Sequence, residues 1–176
     1  MFEEYLKDTK HFYQQAILQT KAELARANFR ASVFCASSAM EAFINFVGET
    51  VETSEILNAN EIAYLNDKIL EVNPSKGNVE ERKKFQPIDG KIKFLIKKFS
   101  VDIEIQNDLN WSKFISLKQL RDKLVHSKEF TDNTPIDNYK KKLTSGINST
   151  IYLIDRISRK IFSKGLRRQI LDMRID

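Results

Sequence analysis

The sequence predicts an all-α protein, a helical bundle of about five to six helices, and three observations carry that expectation. Only five glycines and three prolines punctuate 176 residues. Long stretches repeat apolar residues at spacings of three and four, the period that places them on one side of a helix. No internal repeat or low-complexity tract interrupts them.

A first helix is expected from Phe2 to Leu24, with Phe2, Tyr5, Thr9, Phe12 and Ala16 along one broad face. A second is expected from Asn28 to Thr50. There Phe29, Val33, Ala36, Met40, Phe43 and Val47 form a packing stripe, and Ala31, Phe34, Cys35, Ala39, Ala42 and Phe46 spread apolar or small groups around the rest of the circumference. This reads as a central, buried helix with one narrow polar strip of Arg30, Ser37, Glu41 and Asn45. A carboxylate on such a strip needs a partner, because burying it unpaired is costly.

A third helix is expected from Glu61 to Val72, ended by Asn73-Pro74, followed by a polar loop over about 73–90 that contains the solvated run Arg82-Lys83-Lys84. Lys91 to Phe99 reads as a short helix. Val101 to Ile105 alternates like a strand for too few residues to establish a sheet and is expected to be a connection. Asn110-Trp111-Ser112 opens a helix that runs to His126 with Phe114, Leu117, Leu120 and Leu124 on its core side. After a break at Ser127 to Pro135, a long last helix covers Ile136 to Lys164, with Tyr139, Leu143, Ile147, Ile151, Ile154 and Ile161 facing inward. The basic tail, 165–176, has room for a short extra helix.

Length fits a single domain over 1–176, large enough to fold without staples. The single cysteine, Cys35, excludes an internal disulfide and a cysteine-based zinc site, and its apolar setting predicts a buried small hydrophobe. The first residues carry charge where a signal peptide needs an apolar run, and no segment reaches eighteen apolar residues. A soluble, cytoplasmic protein with no membrane partner is the resulting expectation. Residues 1–90 hold 10 Lys/Arg against 14 Asp/Glu, whereas 91–176 hold 19 against 10. The basic second half suits a polyanion such as RNA.

That half contains Arg121-Asp122-Lys123-Leu124-Val125-His126. An arginine clamps phosphate with a planar fork of donors, and a histidine moves protons near neutral pH; together they can cleave RNA without a metal. In an unbroken helix, however, side chains five residues apart stand about 140° apart around the axis. One copy therefore makes a poor site unless the helix end distorts. In a two-fold dimer, two such segments could present two arginines and two histidines to one phosphate. Asp122 and His126, four apart, share a face, so the carboxylate is expected to orient the imidazole. Glu41 is a candidate ion-pair partner for Arg121. The plainer alternative makes all three ordinary surface residues near a helix end, where a histidine suits the dipole. His11 has no comparable surroundings and reads as solvent-exposed.

Two stretches resemble the HEPN superfamily of helical domains. One is the Arg121 to His126 run, similar to the family's Arg, a polar residue, then His. The other is the small-residue-rich helix from Asn28 to Asn45, with its acidic position at Glu41. The resemblance implies an up-down bundle that dimerises with the Arg-His segments at the interface. It also implies a metal-independent endoribonuclease, a toxin or defence component, with Arg121 and His126 catalytic, Asp122 and Glu41 supporting, and no cofactor. RNA, a second copy of the chain and an antitoxin or other protein are the implied partners. Some toxins of the family carry a modifiable tyrosine two residues after the histidine; Lys128 stands there in this chain. The alternative within the same fold is a non-catalytic module binding RNA, a nucleotide or a protein, which needs the basic half but not His126.

Overall fold

The computed structural model describes residues 1–52, 56–126 and 131–175. Among them are seven helices and one two-stranded sheet. Helix α1 (Phe2–Leu18) lies against α2 (Ala22–Val51), and the chain turns between them at Gln19, whose extended backbone ends the first helix. The expected first helix therefore stops six residues early and the second starts six early. No glycine or proline marks the turn, so periodicity carried straight across it. What fixes the break is packing: α1 folds back so that Leu6, Thr9, Tyr13 and Ala16 are buried, and Ser32 Oγ donates to the Thr9 carbonyl at 2.8 Å.

Two groups of core residues share α2 as their spine. One joins the second half of α2, from Met40 to Val51, to helices α4 (Ile88–Lys98), α5 (Leu109–Val125) and the later part of α6 (Ile136–Phe162). The other joins Ala25 to Ala39 to α1, the later part of α5 and the early part of α6, and stacks Phe29 on Tyr139 at 5.4 Å. The stretch 101–105 is a connection without strand structure, as its brevity predicts.

α2 is nevertheless not buried all round. Phe34 and Phe46 are 39% and 45% exposed, and Glu41 and Asn45 face solvent. Cys35 is half-buried rather than enclosed; burial, and next the Asp8 carboxylate, push its thiol up. By length and composition α2 can cross a bilayer, with a mean hydropathy of 1.3, and half of that window is buried inside this molecule.

The main correction falls on 61–90. Helix α3 spans only Ala59–Leu65, opened by a reciprocal cap in which Asn58 accepts from the Glu61 N–H and Glu61 accepts from the Asn58 N–H. Asp67 then adopts a left-handed backbone, φ 55°, and the chain enters an antiparallel hairpin of β1 (Lys68–Asn73) and β2 (Asn78–Lys83). The helix expected to reach Val72 and the loop expected after it are thus mostly this hairpin. Its turn is built by Asn73, whose side-chain oxygen accepts from the Ser75 and Lys76 amides, and by Gly77 at φ 65°. Asp67 also anchors the hairpin base: its carboxylate accepts from the Gln86 amide at 2.8 Å and pairs at 2.8 Å with the buried Lys91 ammonium.

α5 begins one residue before Asn110, with Asp108 capping the Trp111 amide at 2.8 Å. α6 ends at Phe162, where Ser163 turns left-handed. The tail then docks instead of trailing: α7 (Arg168–Leu171) buries Ile170, and Asn148 exchanges hydrogen bonds of 2.7 and 2.8 Å with the backbone of Ile175. The break between α5 and α6 lies partly, and Lys128 wholly, outside the described residues.

Candidate functional site

α5 stays helical through Val125, and His126 caps it, donating its backbone N–H to the Asp122 carbonyl at 2.9 Å. No distortion brings the two ends of the motif together, so the angle of about 140° between Arg121 and His126 holds. Arg121 sits in a small cleft between α2, α4 and α5, walled by Ser37, Met40, Glu41, Ile88, Leu117 and Lys118. His126 is exposed on a different side of the helix.

The guanidinium is held by two carboxylates. Nη1 donates to Asp122 Oδ1 at 3.1 Å, and Nη2 lies 3.7 Å from Glu41 Oε1, an ion pair too long for a direct hydrogen bond. Glu41 is thus the partner of Arg121 across the α2–α5 seam, but as a half-exposed group, 48% accessible, and not as the buried carboxylate expected from the surrounding stripe. The reason lies in the polar strip, which α2 turns toward the cleft and solvent instead of into the core.

Asp122 does not orient His126. Sharing a face four residues apart permits contact without compelling it, and a second residue four away on the other side wins: Lys118 Nζ donates to Asp122 Oδ2 at 3.0 Å. Burial pushes the Asp122 carboxyl up, but hydrogen bonds from Lys118 and Arg121 outweigh it and hold the group below the ordinary carboxylate range. Lys118 is in turn 3.7 Å from Asp89 of α4. The result is a chain of alternating charges, Glu41, Arg121, Asp122, Lys118 and Asp89, that closes the cleft. Sequence reasoning missed Lys118, although its spacing to Asp122 equals that of His126.

A second network lies beyond the motif. Asp132 accepts from Arg30 at 2.8 Å, from the Tyr139 hydroxyl at 2.6 Å and from the Thr134 amide at 3.0 Å, while Arg26 donates to the Thr134 carbonyl at 3.2 Å. Burial raises its carboxyl, and these donors more than reverse the effect, bringing it down to about 2. The same contact and its own burial push the Tyr139 phenol well above its usual value. Two arginines of α2 thereby fix the chain at Asp132 and Thr134, just before it enters α6 at Ile136. Arg30 was legible in the sequence only as part of a polar strip; Asp132 gave no signal, since nothing local links it to a residue 102 positions away.

Comparison of the chain with protein families, with curated proteins and with solved structures finds no match. In one copy, the geometry of the site offers an arginine clamped by two carboxylates and an exposed imidazole that do not converge on a common point.

Proposed function

We propose that the protein is a metal-independent endoribonuclease whose active site is completed by a second copy of the chain. The observation that carries this reading is the division within α5: Arg121 is braced in place by Glu41 and Asp122, whereas His126 is exposed at the helix end with no side-chain partner among the described residues. A two-fold axis passing near the end of α5 would bring the His126 of one copy toward the Arg121 of the other. Arg121 would then hold the scissile phosphate and stabilise its developing charge. His126 would take the proton of the ribose 2′-hydroxyl as that oxygen attacks phosphorus, or give a proton to the departing 5′-oxygen. The chemistry is transesterification, with a 2′,3′-cyclic phosphate and a 5′-hydroxyl as products. A role as a toxin or defence component, with a protein antitoxin, fits such an activity.

Purified protein incubated with single-stranded RNA in excess EDTA tests the reading. Cleavage is expected, and Arg121→Ala combined with His126→Ala is expected to reduce it at least ~100-fold, the low end of what one acid-base group contributes. Undiminished cleavage by the double variant would remove the proposal.

A second reading has its own support. Two carboxylates already offset the Arg121 charge, and Asp122 leaves His126 alone, as suits a fold that binds RNA without cutting it. Under that reading, RNA is bound but recovered intact after incubation.

A further inference from the structure

The geometry points to the seam between α5 and α6 as the track that grips the RNA backbone. This rests on the reading of RNA as substrate and deepens it by naming the surface. Two clefts lie in line along that seam, of about 610 and 480 Å³. Lys123 and Lys142, with Asn138 and Thr134, line the first; Lys113, Lys140 and Lys141, with Asn110, Asn148 and Ser145, line the second.

Helix geometry sets the two clefts along one face of α6. Asn138, Lys142, Ser145 and Ser149 follow spacings of four, three and four, one face of α6. That face meets α5 where Ser149 lies 3.3 Å from Asn110 and where Gly146 packs under Leu117. On α5, Lys113 and Lys123 are ten residues and about 15 Å apart.

The seam gathers five lysines in two clefts, and their pairing differs from that of several neighbours. On the opposite side of α5, Lys118 is held by Asp89 and Asp122; on α4, Lys91 and Lys98 are held by Asp67 and Glu61. Among the described residues, none of Lys113, Lys123, Lys140, Lys141 and Lys142 has a carboxylate within ion-pair distance, and Asp137, one turn before Lys141, makes no pair with it. Among the described residues the sole acid lining either cleft, Asp132, is already satisfied by Arg30 and Tyr139. Lysines interleaved with amide and hydroxyl groups suit phosphates and ribose hydroxyls. Among the described residues no aromatic side chain lines either cleft, so the grip these residues offer is on the backbone and tolerant of sequence. The track leads to the proposed chemistry: His126 follows Lys123 by three residues, about 60° around the helix, whereas Arg121 is about 160° from Lys123.

Fluorescence anisotropy of a labelled single-stranded RNA tests this. The full chain carries Arg121→Ala and His126→Ala, so binding is read without cleavage and a failure here is separable from failure of the nuclease reading. Adding Lys113→Gln, Lys123→Gln and Lys141→Gln is expected to weaken binding at least ~10-fold and to lower the slope of log affinity against log salt by about 2, at roughly 0.7 per lost phosphate contact. Lys141→Gln alone, at an exposed position, should move both quantities the same way. Removing the same charge elsewhere, by Lys83→Gln, Lys84→Gln and Lys97→Gln, is expected to change affinity less than ~2-fold. Equal losses in the two triple variants, absence of RNA binding at low salt, or displacement of the RNA by poly-glutamate as readily as by unlabelled RNA would overturn the proposal, the last by assigning the seam to an acidic protein.

Discussion

Single residues decide how the end of the Arg-His helix is held. Asp132 collects three donors, and its folded-state carboxyl lies at about 2 against an ordinary value of 3.8. A depressed carboxyl contributes stability that is complete above its unfolded value and is lost as pH falls through the folded one. A shift of this size corresponds to about 2 kcal/mol, which solvent screening at the partly exposed Arg30 reduces to about 1 kcal/mol. Asp132→Asn should therefore unfold in urea at lower concentration than the parent at pH 6. The gap between the two proteins should narrow as pH drops from 4 toward 2; a gap independent of pH would show that Asp132 acts by packing alone. The same scale explains the mixed outcome at the motif itself. Glu41 meets Arg121 because α2 packs against α5 with its polar strip toward the cleft, but Asp122 chose Lys118 over His126, a competition between two equally spaced neighbours that sequence cannot rank.

Elements are held by a few close approaches. At Gly146 of α6 an added Cβ would stand 2.7 Å from the Cβ of Leu117, an atom fixed to the α5 backbone and unable to swing aside. Gly146→Ala should separate α5 from α6. Overpacking costs about 1–3 kcal/mol, offset by up to about 1 kcal/mol of helix propensity. A fall in melting temperature of about 2–8 °C is expected, with RNA affinity falling alongside because both clefts straddle that seam. A variant as stable as the parent would mean that α5 shifts at no cost. The hairpin shows where periodicity misleads. Residues 61–72 fit a helix by their apolar spacing, yet Asp67 at φ 55° breaks it, and the β-branched Ile69, Val72 and Val79 pair across strands. Asn73, Pro74 and Gly77 mark a turn, but the strands' burial, mostly partial or absent, left no clean alternation to read.

At the scale of the whole molecule, the proposed activity depends on two copies. Arg121→Ala and His126→Ala proteins should each be inactive alone. If the site is shared, mixing them under conditions that allow subunit exchange should restore cleavage, because the mixed dimer holds one intact Arg-His pair across the interface. Activity that stays at the level of either variant would exclude a site assembled in trans.

By itself the sequence determined the helical class, the central place of α2 and the α5 and α6 helices, because all of these follow from the period of an α-helix applied to strong apolar stripes; it offered Glu41 only as a candidate partner for Arg121, and the tertiary structure decided that contact. It also indicated that Arg121 and His126 diverge in an unbroken helix, and the structure decided that α5 stays unbroken through Val125. Tertiary structure alone decided the rest. The turn at Gln19, the hairpin on Asp67, the Arg30–Asp132–Tyr139 clamp and the clustering of lysines along the seam of α5 and α6 all depend on contacts between residues distant in the chain. No local propensity encodes such contacts; they exist only once the stripes have packed.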